Sequence, residues 1–452
     1  MNKHVSAVLL GTILLLPPIP NRMSGRGPEM EPFVMEQQAG LPDTPAGRCA
    51  ADYFRAFNSV DEEALRAFIL KYRSPSYIQA NPLEKQMKFH RSIRQAWGDL
   101  IPQSFIPLSD YEIVITARMS RRVGGLATVR FKTENADPYR LLVFTVDQGS
   151  VDMKPVDAAL IESTLDSLAG ILERFYVSAQ MGSEMAGMLR RHKSSGRYAG
   201  ITEGLRLATA ITADLIAMSK DLHLRVNSGQ LPKDDSSPRG EPGPETNYGF
   251  PEIKVVDENI GYVRIDEFSH SERAKGAAIK AMAAVADCEA LIFDLRYNIG
   301  GSPELTHLIA SFLFDAPTLL GSYYNRLEDS VTDIYTLESL PGKRFGQKKP
   351  VFILTSSKTG SAPEMFAFCL QDLKRAVVVG EKTMGMAHGA RYMAVNDRFW
   401  MMIPIVRPVS PVSKKDWEGT GVAPDIQTPE DKALDVAWKE AVKKTRIRGS
   451  TG

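Results

Sequence analysis

Ser361 stands in SSKTGSAPEM (356–365), between an apolar run and a segment with helical spacing. A serine hydroxyl at a helix N-terminus could attack a carbonyl, because the free amides and the helix dipole favour a developing oxyanion. It could equally cap the helix, since Ser361-Ala362-Pro363-Glu364 fits the S-x-x-E capping box. As a nucleophile it needs a base to take its proton, and the base usually needs an orienting partner. Upstream, Asn298-Ile299-Gly300-Gly301 offers a turn that could bring a second backbone N–H close, because glycine lets another backbone approach.

The elements that must hold these residues are readable from periodicity. From 248 onward strands alternate with helices: GYVRIDEF (261–268), SERAKGAAIKAMAAVADC (271–288), ALIFDLR (290–296), a helix near 303–314, PVFILTS (350–356), a helix from Ser361 to about Leu373, and AVVVG (376–380). Alternation of this kind predicts βαβ units around a largely parallel sheet, an α/β class. In such sheets reactive groups lie beyond the carboxyl ends of strands. Both the Gly-Gly turn and Ser361 fall there, and the helix opened by Ser361 carries Ala362, Met365, Phe366, Cys369 and Leu373 at spacings that bury one face.

Ahead of this region, LIESTLDSLAGILERFYV and GLRLATAITADLIAMS have helical spacing, and SGQLPKDDSSPRGEPGPETN (228–247) has the composition of a flexible loop. Earlier still, two helices within CAADYFRAFNSVDEEALRAFIL precede three strand-like runs, YEIVITARM, GLATVRFKT and RLLVFTVDQ, a pattern for a small α+β domain. The expected organisation is a signal peptide or anchor over 1–22, a linker over 23–44, an α+β domain over 45–157, and a helical segment over 158–227. The loop over 228–247, a catalytic α/β domain over 248–445 and a tail over 446–452 complete it.

Three ordered segments, DLRYNIGG (294–301), TSSKTGSAPEMFAFCLQDLKRAVVVGEKTMG (355–385) and WEGTGVAPDI (417–426), resemble the S41 peptidases. These include the C-terminal processing (tail-specific) proteases, tricorn protease and the interphotoreceptor retinoid-binding protein modules. The resemblance implies a ClpP/crotonase-like core. It places the nucleophile at Ser361 and the oxyanion hole at the amide of Ala362 with that of Gly300 or Gly301. The Ser–Lys branch carries its lysine base where GEKTMGMAHG has Met386, and a thioether cannot accept a proton; Lys382 sits where the family varies. The tricorn-like branch instead implies His223, in SKDLHLRV, as base and Glu418 as the carboxylate that holds it. His388, two residues beyond Met386 on the same loop, is the reserve base, ahead of His270 and His307. No PDZ-like insertion lies between 226 and 260, so the retinoid-binding-protein-like branch fits better. The phrase YFRAFNSVDEEALRAFI resembles the opening helix of NTF2-like domains.

Composition narrows the partners. A net charge of +1 without a dense Lys/Arg block argues against nucleic acid. Three scattered cysteines and the lack of H-E-x-x-H leave no spaced metal motif, and Glu304-x-x-His307 reads as an exposed helix face. No cofactor motif is present. The start, MNKHVSAVLLGTILLLPPIP, suits a signal-peptide core better than a span of about 20 residues, so membrane contact is expected only through an uncleaved N-terminal anchor. The expected function is an exported serine peptidase acting on peptides or unfolded proteins through an acyl-enzyme at Ser361. The rival is a non-catalytic module that binds a hydrophobic ligand or a protein partner.

Overall fold

The computed structural model describes residues 40–122, 125–148, 155–229, 231, 242–256 and 259–450, and residues 40–452 form one compact unit. The expected signal peptide, and most of the linker and of the 228–247 loop, lie outside the described residues. Among the described residues no helix is long and apolar enough to cross a membrane.

Four helices open the described chain: α1 (Pro45–Asn58), α2 (Glu62–Tyr72), α3 (Pro75–Ala80) and α4 (Leu83–Trp97). Asp61 caps α2 through the Glu63 N–H, at the place where its sequence starts a new amphipathic run. The helices cover an antiparallel meander of β1 (Leu100–Ser109), β2 (Glu112–Met119), β3 (Leu126–Thr133) and β4 (Leu141–Gln148). Periodicity predicts three of these strands and misses β1. Its Pro102 and Pro107 read as breakers, yet β1 is an edge strand whose pairing shifts register beside both prolines.

Three helices follow, α5 (Ala158–Phe175), α6 (Ala179–Ser194) and α7 (Gly204–Ser219). Beyond them lies the sheet whose strand ends carry Ser361 and the Gly300-Gly301 turn. Its strands are β6 (Glu252–Val256), β7 (Ile260–Arg264), β8 (Ala290–Asp294), β11 (Val351–Thr355), β12 (Val377–Gly380) and β15 (Ile426–Gln427), numbered in chain order. Their spatial order is β15-β12-β11-β8-β7-β6, parallel throughout except for the antiparallel β6–β7 edge. Every residue of β8 and β11 is buried, as expected of strands covered on both faces. One face packs against α8 (Glu272–Val285), α9 (Pro303–Ser311) and α10 (Ala362–Asp372). The other face receives Ala433, Ala437 and Ala441 of α11 (Ala433–Ser450).

A second, antiparallel sheet has the order β10-β9-β14-β13, with β5 added to β14. It comprises β5 (Arg225–Ser228), β9 (Leu319–Asn325), β10 (Ser330–Tyr335), β13 (Gly389–Ala394) and β14 (Phe399–Val409). This sheet matters to the site because β5 follows the α7 segment directly. Its pairing with β14, Arg225 opposite Met402, fixes the chain just after His223. The Glu304/His307 face is not wholly exposed: His307 is half-buried, and its Nε2 lies 3.2 Å from the Tyr323 hydroxyl of β9.

The carboxyl end of β8 is tied down by a buried ion pair. Arg296 donates to both oxygens of Asp294, at 2.9 and 2.6 Å, and its third arm reaches the Glu430 carbonyl. Tyr262 donates to the same carboxylate at 2.8 Å. Asp294 and Arg296 are 1% and 7% exposed, so removing one partner strands a buried charge. Asp294→Ala should therefore lower the unfolding free energy by about 3–5 kcal/mol. Urea titration followed by circular dichroism would read it, and a shift under about 1 kcal/mol would contradict this account.

Candidate active site

Ser361 sits where β11 turns into α10. Its backbone has φ 67° and ψ −122°, a region that side chains with a Cβ rarely enter. The turn is fixed from several sides. Thr359 donates its hydroxyl to the Leu295 carbonyl, Gly360 N–H reaches the Asn298 carbonyl at 3.2 Å, and Met384 N–H reaches the Thr359 carbonyl at 3.0 Å. Glu364 completes the hold by accepting the Ser361 N–H at 2.7 Å. The same fully buried carboxylate accepts the Thr383 hydroxyl and the Gly385 N–H, both at 2.6 Å, and the Met386 N–H at 2.9 Å. Ser356 is a buried strand-end residue whose hydroxyl donates to the Arg296 carbonyl.

The Gly300-Gly301 turn lies against the serine. A side chain built on Gly300 would stand 3.4 Å from Ser361 Cβ, and one on Gly301 would meet the Phe268 carbonyl oxygen at 1.9 Å. Both glycines have positive φ, so only glycine fits this approach. Their amides differ. Asn298 Oδ1 accepts the Gly300 N–H at 3.0 Å, whereas no acceptor among the described residues takes the N–H of Gly301 or Ala362.

Met386 packs beside the Gly360-Ser361 turn: a Cβ on Gly360 would lie 3.5 Å from its sulfur and 2.8 Å from that of Met384. Lys382 is exposed. Two residues past Met386 the loop enters a buried titratable cluster. His388 Nδ1 donates to Asp221 Oδ2 at 2.6 Å and lies 3.5 Å from Glu418 Oε2. Because a carboxylate only accepts, the proton belongs on that nitrogen. Tyr176 also donates to Asp221 Oδ2, at 2.9 Å. Glu418 Oε2 accepts the amides of Ala387 and His388, at 2.7 and 3.0 Å. Asp221, His223 and Glu418 each present an atom within 4.8 Å of the others. His223 Nδ1 and Glu418 Oε1 are both buried and without a hydrogen-bond partner.

The chain reaches this cluster from three directions. Lys220 ends α7 in the left-handed conformation, and the Asp221 carboxylate then accepts the His223 N–H at 3.0 Å, a tight turn before β5. His388 immediately precedes β13. Glu418 lies in the turn that docks on the 383–388 loop through Gly419 N–H to the Gly385 carbonyl and Val422 N–H to the Thr383 hydroxyl. A Cβ on Gly421 would meet the Thr383 carbonyl oxygen at 2.3 Å, which accounts for glycine there.

The cluster separates the protonation states of its members. Burial pulls His223 down to about 4, so its imidazole is neutral near pH 7. Burial also opposes charge on His388, but the hydrogen bond and charge of Asp221 outweigh it and raise its pKa. Burial would raise Asp221, yet His388 holds it below the usual carboxylate range. Burial, with the neighbouring Asp221 charge, pushes Glu418 up to about 7.

Of the residues singled out from sequence, Ser361, Ala362, Gly300 and Gly301 converge at one turn. His223, His388 and Glu418 converge in the adjoining cluster. Among the described residues no hydrogen bond links Ser361 Oγ to either imidazole. His270 is exposed, and His307 bonds Tyr323 behind α10. Sequence reasoning passed over Asp221 and Tyr176. The Asp221 carboxylate lies two residues before His223, but its partner His388 is 167 positions away.

Ser361 can be tested as a strained residue rather than a relaxed cap. Ser361→Gly should stabilise the fold by about 1 kcal/mol, because glycine tolerates the positive φ. A relaxed N-cap would lose a few tenths of a kcal/mol on the same change. Thermal and urea unfolding of the two proteins would distinguish the signs.

Comparison with known proteins gives two family matches. Residues 259–428 match the model of peptidase family S41, and residues 158–259 match the N-terminal domain of Peptidase_S41 in eukaryotic IRBP. A stretch of 172 residues is 29% identical to carboxyl-terminal-processing peptidase 2, chloroplastic, of Arabidopsis thaliana, covering 38% of this chain and 32% of the relative. Over 374 residues the chain is 24% identical to carboxyl-terminal-processing peptidase 1, chloroplastic, of the same plant, covering 77% of this chain and 64% of that one. The chain thus spans about a third of the first of these relatives. The solved photosystem II D1 C-terminal processing protease aligns with a TM-score of 0.41 at 15% identity, covering 61% of this chain and 94% of that one.

Proposed function

Residues 158–428 belong to peptidase family S41, and we propose that the chain is a serine peptidase cleaving peptide bonds through an acyl-enzyme on Ser361. The observation that carries this reading is the strained Ser361 at a helix N-terminus, with the Gly300-Gly301 turn packed against it and the amides of Ala362 and Gly301 unbonded. Those amides are the donors for the oxyanion of the tetrahedral intermediate; Gly300, its N–H engaged by Asn298, shapes the turn.

His223 is the base. Near neutral pH it is uncharged and can take the Ser361 proton, whereas His388 is committed to Asp221 through Nδ1. Glu418 orients His223: the unpartnered Nδ1 of one and the unpartnered Oε1 of the other complete each other when the site tightens around substrate. The imidazolium formed then gives its proton to the leaving amine, and water repeats the sequence to release the acyl group. His388 and Asp221, as an ion pair, position Glu418, whose Oε2 accepts the amides of Ala387 and His388. The chloroplast relatives carry the description carboxyl-terminal-processing peptidase, and substrates here are peptides or unfolded chains. The opening MNKHVSAVLLGTILLLPP supports export out of the cytoplasm.

A fluorophosphonate probe should label the wild type and leave Ser361→Ala unlabelled, and His223→Ala should slow labelling by roughly 10³-fold. Equal labelling of wild type and Ser361→Ala would sink the proposal. A second reading, a non-catalytic module for an apolar ligand, rests on a pocket behind α10 lined by Leu320, Tyr323, Met365, Phe368, Cys369 and Trp417. Native mass spectrometry showing a bound lipid, together with no probe labelling, would favour it instead.

The pH profile tests the role of Glu418. Its carboxyl must ionise to hold the imidazolium, so activity should climb with rising pH through about 7. Glu418→Gln should lose that limb and fall by about two to four orders of magnitude in kcat/KM. An unchanged limb in the variant would assign the titration to another group.

A further inference from the structure

The cluster next to the nucleophile has the composition of a metal site as well as that of a catalytic relay. Asp221, His223 and Glu418 bring two carboxylates and one imidazole within 4.8 Å of one another. Two of their atoms, His223 Nδ1 and Glu418 Oε1, are buried with no partner. The Glu418 side chain is 10% exposed and that of Asp221 is fully buried. A divalent ion satisfies both orphaned atoms at once and favours the ionised form of Glu418. Three protein ligands leave a fourth position open, as in tetrahedral zinc centres with ligand distances of about 2.0–2.2 Å. A tetrahedron of that size has edges of about 3.4 Å, so small side-chain rotations close the three atoms onto an ion. The outer support is already present: His388 donates to Asp221 Oδ2 at 2.6 Å, Tyr176 donates at 2.9 Å, and two amides hold Glu418 Oε2. The imidazole favours Zn²⁺-like ions over Mg²⁺, which prefers oxygen ligands alone.

We propose that Asp221, His223 and Glu418 form a reversible divalent transition-metal site whose occupancy silences Ser361. The silencing rests on His223 being the base, because a metal on Nδ1 leaves the ring proton on Nε2, so that nitrogen has no lone pair to take the serine proton. The binding itself does not depend on that reading.

The test uses the full chain with Ser361→Ala, stripped with a chelator and titrated calorimetrically with Zn²⁺ alone. One equivalent should bind, Mg²⁺ should not, and Glu418→Gln and Asp221→Asn, each added to Ser361→Ala, should each weaken binding at least tenfold. Circular dichroism melts establish that these variants fold. A second arm labels wild type with a fluorophosphonate, with and without Zn²⁺; labelling should slow at least tenfold and recover on chelation. No binding heat, unchanged affinity in both folded variants, or unaffected labelling at saturating Zn²⁺ would overturn the proposal. Should wild type resist the probe even without metal, the catalytic reading falls while the isotherms still decide the metal site.

Discussion

Glu364 is fully buried, and among the described residues no cation pairs with it. Its charge is spread over four hydrogen bonds, from the amides of Ser361, Gly385 and Met386 and from the Thr383 hydroxyl. A buried carboxylate costs several kcal/mol unless its lone pairs are met, and here the meeting partners come from two separate loops. The carboxylate therefore does more than begin α10. It holds the strained serine and draws the 383–386 backbone against it, and that backbone leads directly into His388 and the Glu418 turn. The apolar residues of α10 anchor the helix, but Glu364 sets the distance between the helix start and everything across the cleft.

The neighbouring cluster then sorts charge. Asp221 and His388 form a closed pair, each stabilising the ionised form of the other, with Tyr176 adding a further bond to the carboxylate. That leaves His223 neutral and Glu418 with an elevated pKa, the combination that suits proton transfer near pH 7. Met386 stands where the resemblance implies the lysine base of the Ser–Lys branch, and a thioether cannot accept a proton; the proposed mechanism therefore gives proton transfer to a histidine from another part of the chain.

Much of the scaffold was legible in the sequence because its signals are local. The α/β alternation, the five buried residues of β8 and of β11, and the capping motif at Ser361 are all encoded within a dozen residues of the feature they predict. The two antiparallel sheets were harder. β9 and β10 are largely half-buried or exposed and lack a clean two-residue alternation, while β1 carries two prolines tolerated only at its edge position. In the candidate site, residue types and their place at strand ends pointed to Ser361 and the Gly-Gly turn, while the resemblance to the S41 peptidases pointed to His223, His388 and Glu418. The pairing of His388 with Asp221 could not be read, since nothing local to either residue encodes a partner 167 positions away. The occupied amide of Gly300 was equally hidden, because it depends on where the Asn298 side chain points.

The strain at Ser361 is built from contacts within the sheet and its loops, whereas His223 arrives on the turn that follows α7, held by β5 pairing with β14. In the proposed mechanism a chain whose sheet has formed but whose α5–α7 segment has not docked holds a nucleophile without its base. Such an intermediate is inert. In that mechanism the chain could cleave its own unfolded segments only once the α5–α7 segment has docked and His223 stands in place.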